Sequence, residues 1–118
     1  MGFDIYGLAP SSDAGKYFRN NVWWWRPMRG LIILTCGDFL TVEEVRELGF
    51  NNGYGYSAEK AAAIARRLAE VAADDELLAS YEKQIKEMLP ESYESFWSKD
   101  NVLEFVQFLR NCGGFEVS

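Results

Sequence analysis

From residue 41 onward, helix-capping residues alternate with apolar residues three and four positions apart, and this pattern most constrains the fold. Thr41-Val42-Glu43-Glu44 has the form of a capping box, in which Thr41 accepts from the backbone N–H of Glu44 and the Glu44 side chain reaches back. Further helices are predicted to begin at Ser57, at Asp74-Asp75-Glu76, and at Ser98 or Asp100. The pattern therefore predicts a mostly helical chain.

Two short segments, one at each end, predict a minor β component. Phe3-Asp4-Ile5-Tyr6 alternates apolar and polar residues, and Phe115-Glu116-Val117 could form a terminal strand. No long linker or internal repeat divides the chain. We therefore expect one domain over residues 1–118, mainly α (α+β): a compact bundle of four to five helices with a short β element near the termini.

Residues 22–36 are compatible with either a helix or a strand. Pro27 suits the first turn of a helix, which favours a helix from about Pro27 to Cys36. Gly30 weakens that prediction, and the β-branched pair Ile32-Ile33 fits a strand equally well. Asn51–Tyr56, by contrast, is predicted to be a turn-rich loop because Asn and Gly tolerate left-handed backbone angles.

Residue types that commonly carry catalysis or metal binding are scarce in the chain. It contains no histidine, and its two cysteines, Cys36 and Cys112, lie far apart, so we expect buried free thiols rather than a disulfide. No phosphate-binding glycine motif is present. The acids Asp74-Asp75-Glu76 could bind a divalent cation, but their placement at a helix N-terminus, where acids are favoured, is the preferred explanation. We therefore expect no metal site and no cofactor, and we favour a non-catalytic protein over an enzyme.

The net charge of −6 is concentrated after residue 40. Residues 41–118 carry eight basic and fifteen acidic groups, a net of −7, whereas residues 1–40 have a net of +1. This charge disfavours direct nucleic-acid binding and favours a protein partner with a basic surface. An acidic helical face is the predicted contact; its members are Glu82, Glu87, Glu91 and Glu94. The alternative is a solvated helix face, since Lys83 and Lys86 lie within it.

No apolar run approaches the length of a membrane span, and the start lacks the basic-then-apolar pattern of a signal peptide. We therefore expect a cytoplasmic protein that does not insert in a membrane.

The tryptophan segment, Tyr17–Pro27, is the most distinctive stretch and holds three consecutive tryptophans. Their side chains cannot all point the same way on a helix or a strand, so at least one ring is expected at an edge of the fold. With the Asn51 loop the segment could line a ligand pocket. The predicted binding residues are Arg19, Asn20, Asn21, Trp23, Trp24, Trp25, Arg26, Asn51, Asn52 and Tyr54. The alternative is structural: two tryptophans in the core and Arg26 stacked over the third.

Two segments resemble the ends of a group of small bacterial and phage-borne proteins of unknown function. The first is Met1-Gly2-x-Asp4-x-Tyr6-Gly7-x-x-Pro10 followed by Tyr17-Phe18-Arg19-Asn20-Asn21-x-Trp23-Trp24-Trp25-Arg26-Pro27. The second is Asn101-Val102-x-Glu104-Phe105-x-x-Phe108-Leu109-Arg110-x-Cys112-Gly113-Gly114-Phe115-Glu116. The resemblance covers about a third of the chain. It implies a bacterial or mobile-element origin and assigns no activity to any residue.

Three functions follow from these patterns. The first is a non-catalytic protein-interaction module, in its sharpest form a phage-borne, anti-CRISPR-type inhibitor of host defence that acts through the acidic helical face. The second is a small-ligand-binding domain that uses the tryptophan segment and the Asn51 loop. The third is a hydrolase that uses carboxylates, which needs two acids converging in a cleft with raised pKa values.

Overall fold

Helices form most of the structure, a computed structural model that describes residues 2–118. There are five α-helices: α1 (Val22–Cys36), α2 (Val42–Glu47), α3 (Ala58–Ala72), α4 (Asp75–Met88) and α5 (Lys99–Asn111). Four strands accompany them: β1 (Gly2–Gly7), β2 (Tyr17–Asn21), β3 (Tyr54–Tyr56) and β4 (Phe115–Val117). Short 3₁₀ turns occur at Asp13–Gly15 and Glu91–Tyr93. The predicted mixture of a helical majority and a small β component is confirmed.

The strands form one antiparallel sheet in the order β2-β1-β4-β3. Ile5 lies opposite Phe18 on one side and opposite Val117 on the other. All three of these side chains are buried, because alternate residues of a strand point to the same face and this face meets the helices. The opposite face carries exposed side chains such as Tyr6 and Tyr17.

The prediction that the β element lies only near the termini is wrong. β3 occupies the middle of the chain, within the segment predicted as a loop, and Tyr56 pairs with Phe115. Tyr54-Gly55-Tyr56 is too short to show an alternating pattern, and only its pairing with β4 makes it a strand. β2 was also missed, although Phe18 and Asn20 face the core while Arg19 faces solvent.

Residues 22–36, for which the sequence allows either a helix or a strand, form helix α1. This helix begins at Val22 rather than near Pro27. Asn21 ends β2 and caps α1, because its side-chain oxygen accepts from the backbone N–H groups of Trp23 and Trp24. Pro27 lies inside the helix, where it has no N–H to donate to the carbonyl of Trp23. The cap therefore determines where this helix starts, and the proline does not.

The capping predictions after residue 40 are confirmed. Both hydrogen bonds of the capping box are present: Glu44 N–H donates to Thr41 Oγ1 at 3.1 Å and Thr41 N–H donates to Glu44 Oε1 at 2.8 Å. Ser57, Asp74 and Ser98 accept from backbone N–H groups at the starts of α3, α4 and α5.

The core lies between the inner face of the sheet and the helices, with aromatic rings at its centre. Phe105 on α5 stacks on Phe108, and Tyr56 stacks on Phe115 with ring centroids 4.5 Å apart. α3 packs along α5, and α1 packs against α4. α1 therefore contacts the core on one side, while another side faces α2 and α4.

Candidate functional site

The three tryptophans occupy three different environments. Trp25 is fully buried, stacks on Phe3 at 5.8 Å and donates its indole N–H to the carbonyl of Leu48 at 2.7 Å. Trp24 is half-buried and meets Phe96 edge-on. Trp23 is 41% exposed and is the ring that reaches the surface. The expected burial of two tryptophans is therefore wrong, because only Trp25 is in the core.

Arg26 does not stack over a tryptophan, as the structural alternative expected. Its guanidinium carbon lies 5.8 Å from the ring centroid of Tyr93, in the 3₁₀ turn after α4. The same tyrosine packs against Trp23 with ring centroids 5.0 Å apart. Arg26 therefore links the exposed face of α1 to the segment that follows α4.

The polar residues before the tryptophans hold the fold together. The side-chain amides of Asn20 and Asn101 donate to each other's oxygens, both at 3.0 Å, and join β2 to α5. Asn21 is the cap of α1, and Arg19 Nε donates to Asp4 Oδ1 at 3.1 Å on the outer face of the sheet. Four predicted residues still share one polar depression of about 400 Å³ beside α5; they are Arg19, Asn20, Asn21 and Trp24.

The predicted Asn51 loop lies beside the sheet, at the start of β1. Asn51 Nδ2 donates to the backbone carbonyl of Gly2 at 3.4 Å, and Asn52 is exposed. Tyr54 packs edge-on against Tyr56, and burial together with the nearby Glu43 raises its pKa. None of Asn51, Asn52 and Tyr54 lines the depression beside α5 or the cavity described below.

The acidic helical face carries positive charges of its own. Glu82, Glu87 and Glu94 border a shallow depression of about 370 Å³ together with Lys83 and Lys86. Lys86 Nζ lies 2.6 Å from Glu82 Oε2. Glu91 is exposed at the start of the 3₁₀ turn. The local charge is therefore mixed, as the solvated-face alternative expects.

A larger cavity, of about 520 Å³, opens between α1, α4 and the segment that includes α2. Its floor is one stripe of α1 at helical spacing, formed by Val22, Trp25, Arg26, Arg29, Gly30 and Ile33. The stripe is roughly 16 Å long at 1.5 Å per residue. The volume lies within the range of cavities that hold small molecules, about 300–1,000 Å³. We call it the arginine cavity, because Arg26, Arg29 and Arg46 line it.

The two walls of the arginine cavity differ in chemistry. One wall comes from Arg46, Gly49 and Phe50, and the Arg29 guanidinium lies against Gly49 on this side. The other wall is apolar and comes from Ile85, Met88 and Leu89 of α4 and its C-terminal end. Phe50 is 53% exposed and Met88 is 60% exposed. The cavity therefore places cationic groups opposite an aliphatic surface.

α1 and α4 run antiparallel across the cavity. Gly30 lies at the level of Ile85, since a methyl group added at Gly30 would lie 3.5 Å from that side chain. Arg26, one turn earlier on α1, meets Tyr93, which comes after α4. Met88 and Leu89 therefore lie between those two levels, opposite the middle of the α1 stripe.

Arg29 has a side-chain donor that is buried and unpaired. One terminal nitrogen donates to the carbonyl of Val45 at 3.2 Å, but Nε is buried and has no hydrogen-bond partner. Burial, and to a smaller extent the charge of Arg26, lowers the pKa of Arg29. Its guanidinium nevertheless stays charged at neutral pH. A buried donor on a charged group, without an acceptor, is costly to leave unpaired.

Neutralising carboxylates around the cavity are few. Arg46 lies 3.8 Å from Glu47 Oε1, beyond hydrogen-bond distance, and the other oxygen of Glu47 is buried without a partner. Within residues 2–118, neither Arg26 nor Arg29 forms a salt bridge. The cavity is therefore locally positive on a chain whose net charge is −6.

Sequence reasoning found only part of this site. It named Trp25 and Arg26 but missed Arg29, Arg46 and the apolar wall on α4. The α1 stripe from Val22 to Ile33 is visible in the sequence only once the helix is known to begin at Val22.

Comparisons with protein-family models, with curated proteins and with solved structures find no significant match to this chain. The resemblance of the terminal segments to phage-borne proteins therefore stays a prediction. Within residues 2–118, no three histidine, cysteine or carboxylate side chains are grouped so as to hold a metal ion. None of the helices in this part of the chain is both long and apolar enough to cross a membrane.

Proposed function

We propose that this chain is a small-ligand-binding domain and that its ligand is a small organic anion held in the arginine cavity. The observation that carries the proposal is the Arg29 guanidinium, which lines a cavity of about 520 Å³ and forms no salt bridge within residues 2–118. Two more arginines, Arg26 and Arg46, line the same space. The proposal keeps the ligand-binding hypothesis and two of its predicted residues, Trp25 and Arg26, but replaces Asn51, Asn52 and Tyr54 with Arg29 and Arg46.

An anionic ligand would neutralise the Arg29 guanidinium through its terminal nitrogens, because the covered Nε is out of reach of the cavity. Hydrogen bonds between a guanidinium group and a carboxylate or phosphate are about twice as strong as those between neutral groups. They are stronger still where apolar side chains lower the local dielectric, and the buried Trp25 and Ile85 line this cavity. The preformed cavity also lowers the cost of ordering the site on binding.

The experiment is a thermal-shift screen of carboxylates, phosphates, nucleotides, sugars and amino acids, followed by calorimetry of any compound that stabilises the protein. An anion at a hundredfold excess over its Kd should add about 2.7 kcal/mol to the free energy of unfolding. Arg29→Gln should abolish binding. Arg66→Gln, an exposed arginine on α3, removes the same charge elsewhere and should leave binding unchanged. The proposal would be contradicted if the anion bound Arg29→Gln as well as the wild type, or if only neutral compounds bound.

The interaction-module hypothesis rests on the small size of the chain, its acidity and its lack of catalytic motifs, and it stays a second, weaker proposal. It includes a cytoplasmic location, a protein partner with a basic surface and the anti-CRISPR-type role. Its test is capture of host proteins by the wild type and by a variant with Glu82, Glu87, Glu91 and Glu94 changed to lysine. A matched control reverses Glu59, Glu70, Glu76 and Glu104. Equal capture by all three forms would eliminate the acidic helical face as the contact.

The hydrolase hypothesis requires a carboxyl group with a raised pKa in a cleft. The Arg67 guanidinium lowers the pKa of Asp38. Burial raises the pKa of Glu44, but hydrogen bonds from the Thr41 backbone and from Lys60 outweigh it, so this pKa is also lowered. Neither group is therefore the acid that this hypothesis needs.

A further inference from the structure

We infer that the ligand of the arginine cavity is an aliphatic monocarboxylate, with its carboxylate at Arg29 and its chain against the α4 wall. This inference rests on the proposed function, because it specifies the chemistry of the same site. Three observations support it: the number of free donors, the separation of the two walls and the opening of the cavity at Met88.

The cavity has few guanidinium groups without a partner, which suits a ligand with one negative charge. Arg26 is already placed over the ring of Tyr93, and Arg46 has Glu47 at 3.8 Å. Arg29, which also lines the cavity, has neither a carboxylate nor an aromatic ring against its guanidinium, and only the carbonyl of Val45 accepts from it. Transferring a dianion into a space with this much apolar lining would cost more than one such donor returns. A carboxylate matches the planar guanidinium with a single negative charge.

The opposite wall suits an aliphatic chain. Ile85 and Leu89 present branched aliphatic groups and Met88 an unbranched thioether, with no ring on that side for a flat ligand to stack on. Ile85 covers Gly30, since a carbon added there would lie 3.5 Å from its side chain, so the exposed part of this wall is Met88. Methionine adapts its shape to flexible aliphatic partners. A carboxylate at Arg29 would therefore direct its chain toward Met88.

The exposed rim allows the chain length to vary. Met88 and Phe50 are both more than half exposed, so the cavity opens to solvent between them. The chain can therefore extend until it leaves the protein at Met88. Affinity should rise about threefold to fourfold for each methylene group that is buried, then stop rising once further carbons reach solvent.

The inference is tested by isothermal titration calorimetry with four carboxylates of increasing length. They are acetate, hexanoate, octanoate and decanoate, each used below its micelle concentration. We expect no binding of acetate and a steady rise in affinity from hexanoate to decanoate. Decan-1-ol should bind at least tenfold more weakly than decanoate, and so should decyl phosphate. Met88→Ser should weaken decanoate more than hexanoate. Leu103→Ser, a similarly exposed apolar residue on α5, should change neither.

Different failures have different meanings. If affinity does not depend on chain length, or decyl phosphate binds best, while Arg29→Gln still abolishes anion binding, the inference is wrong and the proposed function stands. If no anion binds in an Arg29-dependent way, both are wrong. If the protein floats with phosphatidylglycerol vesicles but does not bind monomeric decanoate, the apolar wall contacts a membrane surface and the inference is overturned.

Discussion

The indole N–H of Trp25 donates to the backbone carbonyl of Leu48 at 2.7 Å, and this bond joins α1 to the residue that follows α2. Both residues are fully buried. Four positions along α1, Arg29 lies against Gly49, the neighbour of Leu48. The same pair of segments therefore carries a structural bond in the core and one cationic wall of the arginine cavity.

Trp25→Phe should destabilise the protein by about 2–4 kcal/mol. It leaves the buried Leu48 carbonyl without its donor and a small void beside Phe3. Urea denaturation measures the loss. Trp23→Phe is the matched control, because Trp23 is exposed, and it should cost less than about 1 kcal/mol. Equal losses for the two variants would show that the bond to Leu48 contributes little.

The paired amides of Asn20 and Asn101 should behave as one unit in a double-mutant cycle. Changing either residue to alanine removes both reciprocal hydrogen bonds. The Asn101 amide is then left without a partner, and the Asn20 amide keeps only its bond to the carbonyl of Arg19. Each single change should cost about 1–3 kcal/mol, and the double variant should cost clearly less than their sum. Additive losses would mean that the two side chains contribute independently.

Glu44 should make stability depend on pH in the acidic range. Its pKa in the folded protein is lowered from the ordinary value of 4.5. Its contribution is therefore fully present above about pH 4.5 and is lost as the pH falls through the folded-state pKa. Glu44→Gln should cost about 1–2 kcal/mol at pH 7, and the difference from the wild type should shrink toward pH 3. Glu59→Gln, exposed in the first turn of α3, is the control; a pH-independent difference for Glu44→Gln would contradict this assignment.

Two glycines should respond in opposite ways to a methyl group. At Gly15 the added carbon would lie 1.9 Å from the carbonyl oxygen of Asn111, so Gly15→Ala should destabilise the protein by several kcal/mol. At Gly30 it would make ordinary contact with Ile85 at 3.5 Å. Gly30→Ala should therefore stabilise α1 by about 0.5–1 kcal/mol. Thermal unfolding measures both, and destabilisation by Gly30→Ala would show that α1 and α4 pack more closely than described.

The sequence predicted those parts of the fold that depend on neighbouring residues. The capping box of Thr41 and Glu44 is complete within four positions, and it formed as expected. β3 could not be predicted, because Tyr54–Tyr56 becomes a strand only by pairing with β4, about sixty positions away. Pro27 predicts a start of α1 that is too late in the sequence, because Asn21 caps the helix and Pro27 lies inside it.

The candidate site was harder to predict than the fold, because its chemistry is assembled from distant segments. Arg29 is an ordinary helical arginine until its Nε is buried against Gly49, and that burial depends on where α2 packs. Ile85 could not be assigned to the cavity from the sequence either. Its place in the apolar stripe of α4 predicts that it is buried, but not which residues it contacts. The tryptophan run drew attention to the right helix, while its own most conspicuous residue, Trp25, belongs to the core.

The most direct test of the arginine cavity is the side-chain Nε–H signal of Arg29 in a ¹H–¹⁵N NMR spectrum, assigned by its loss in Arg29→Lys. Decanoate should shift this signal, because a carboxylate bound at the terminal nitrogens changes the electron distribution of the whole guanidinium group. The Arg66 signal should not move. An Arg29 signal that stays unchanged at saturating decanoate, or that moves no more than the signal of Arg66, would contradict an anion site at this residue.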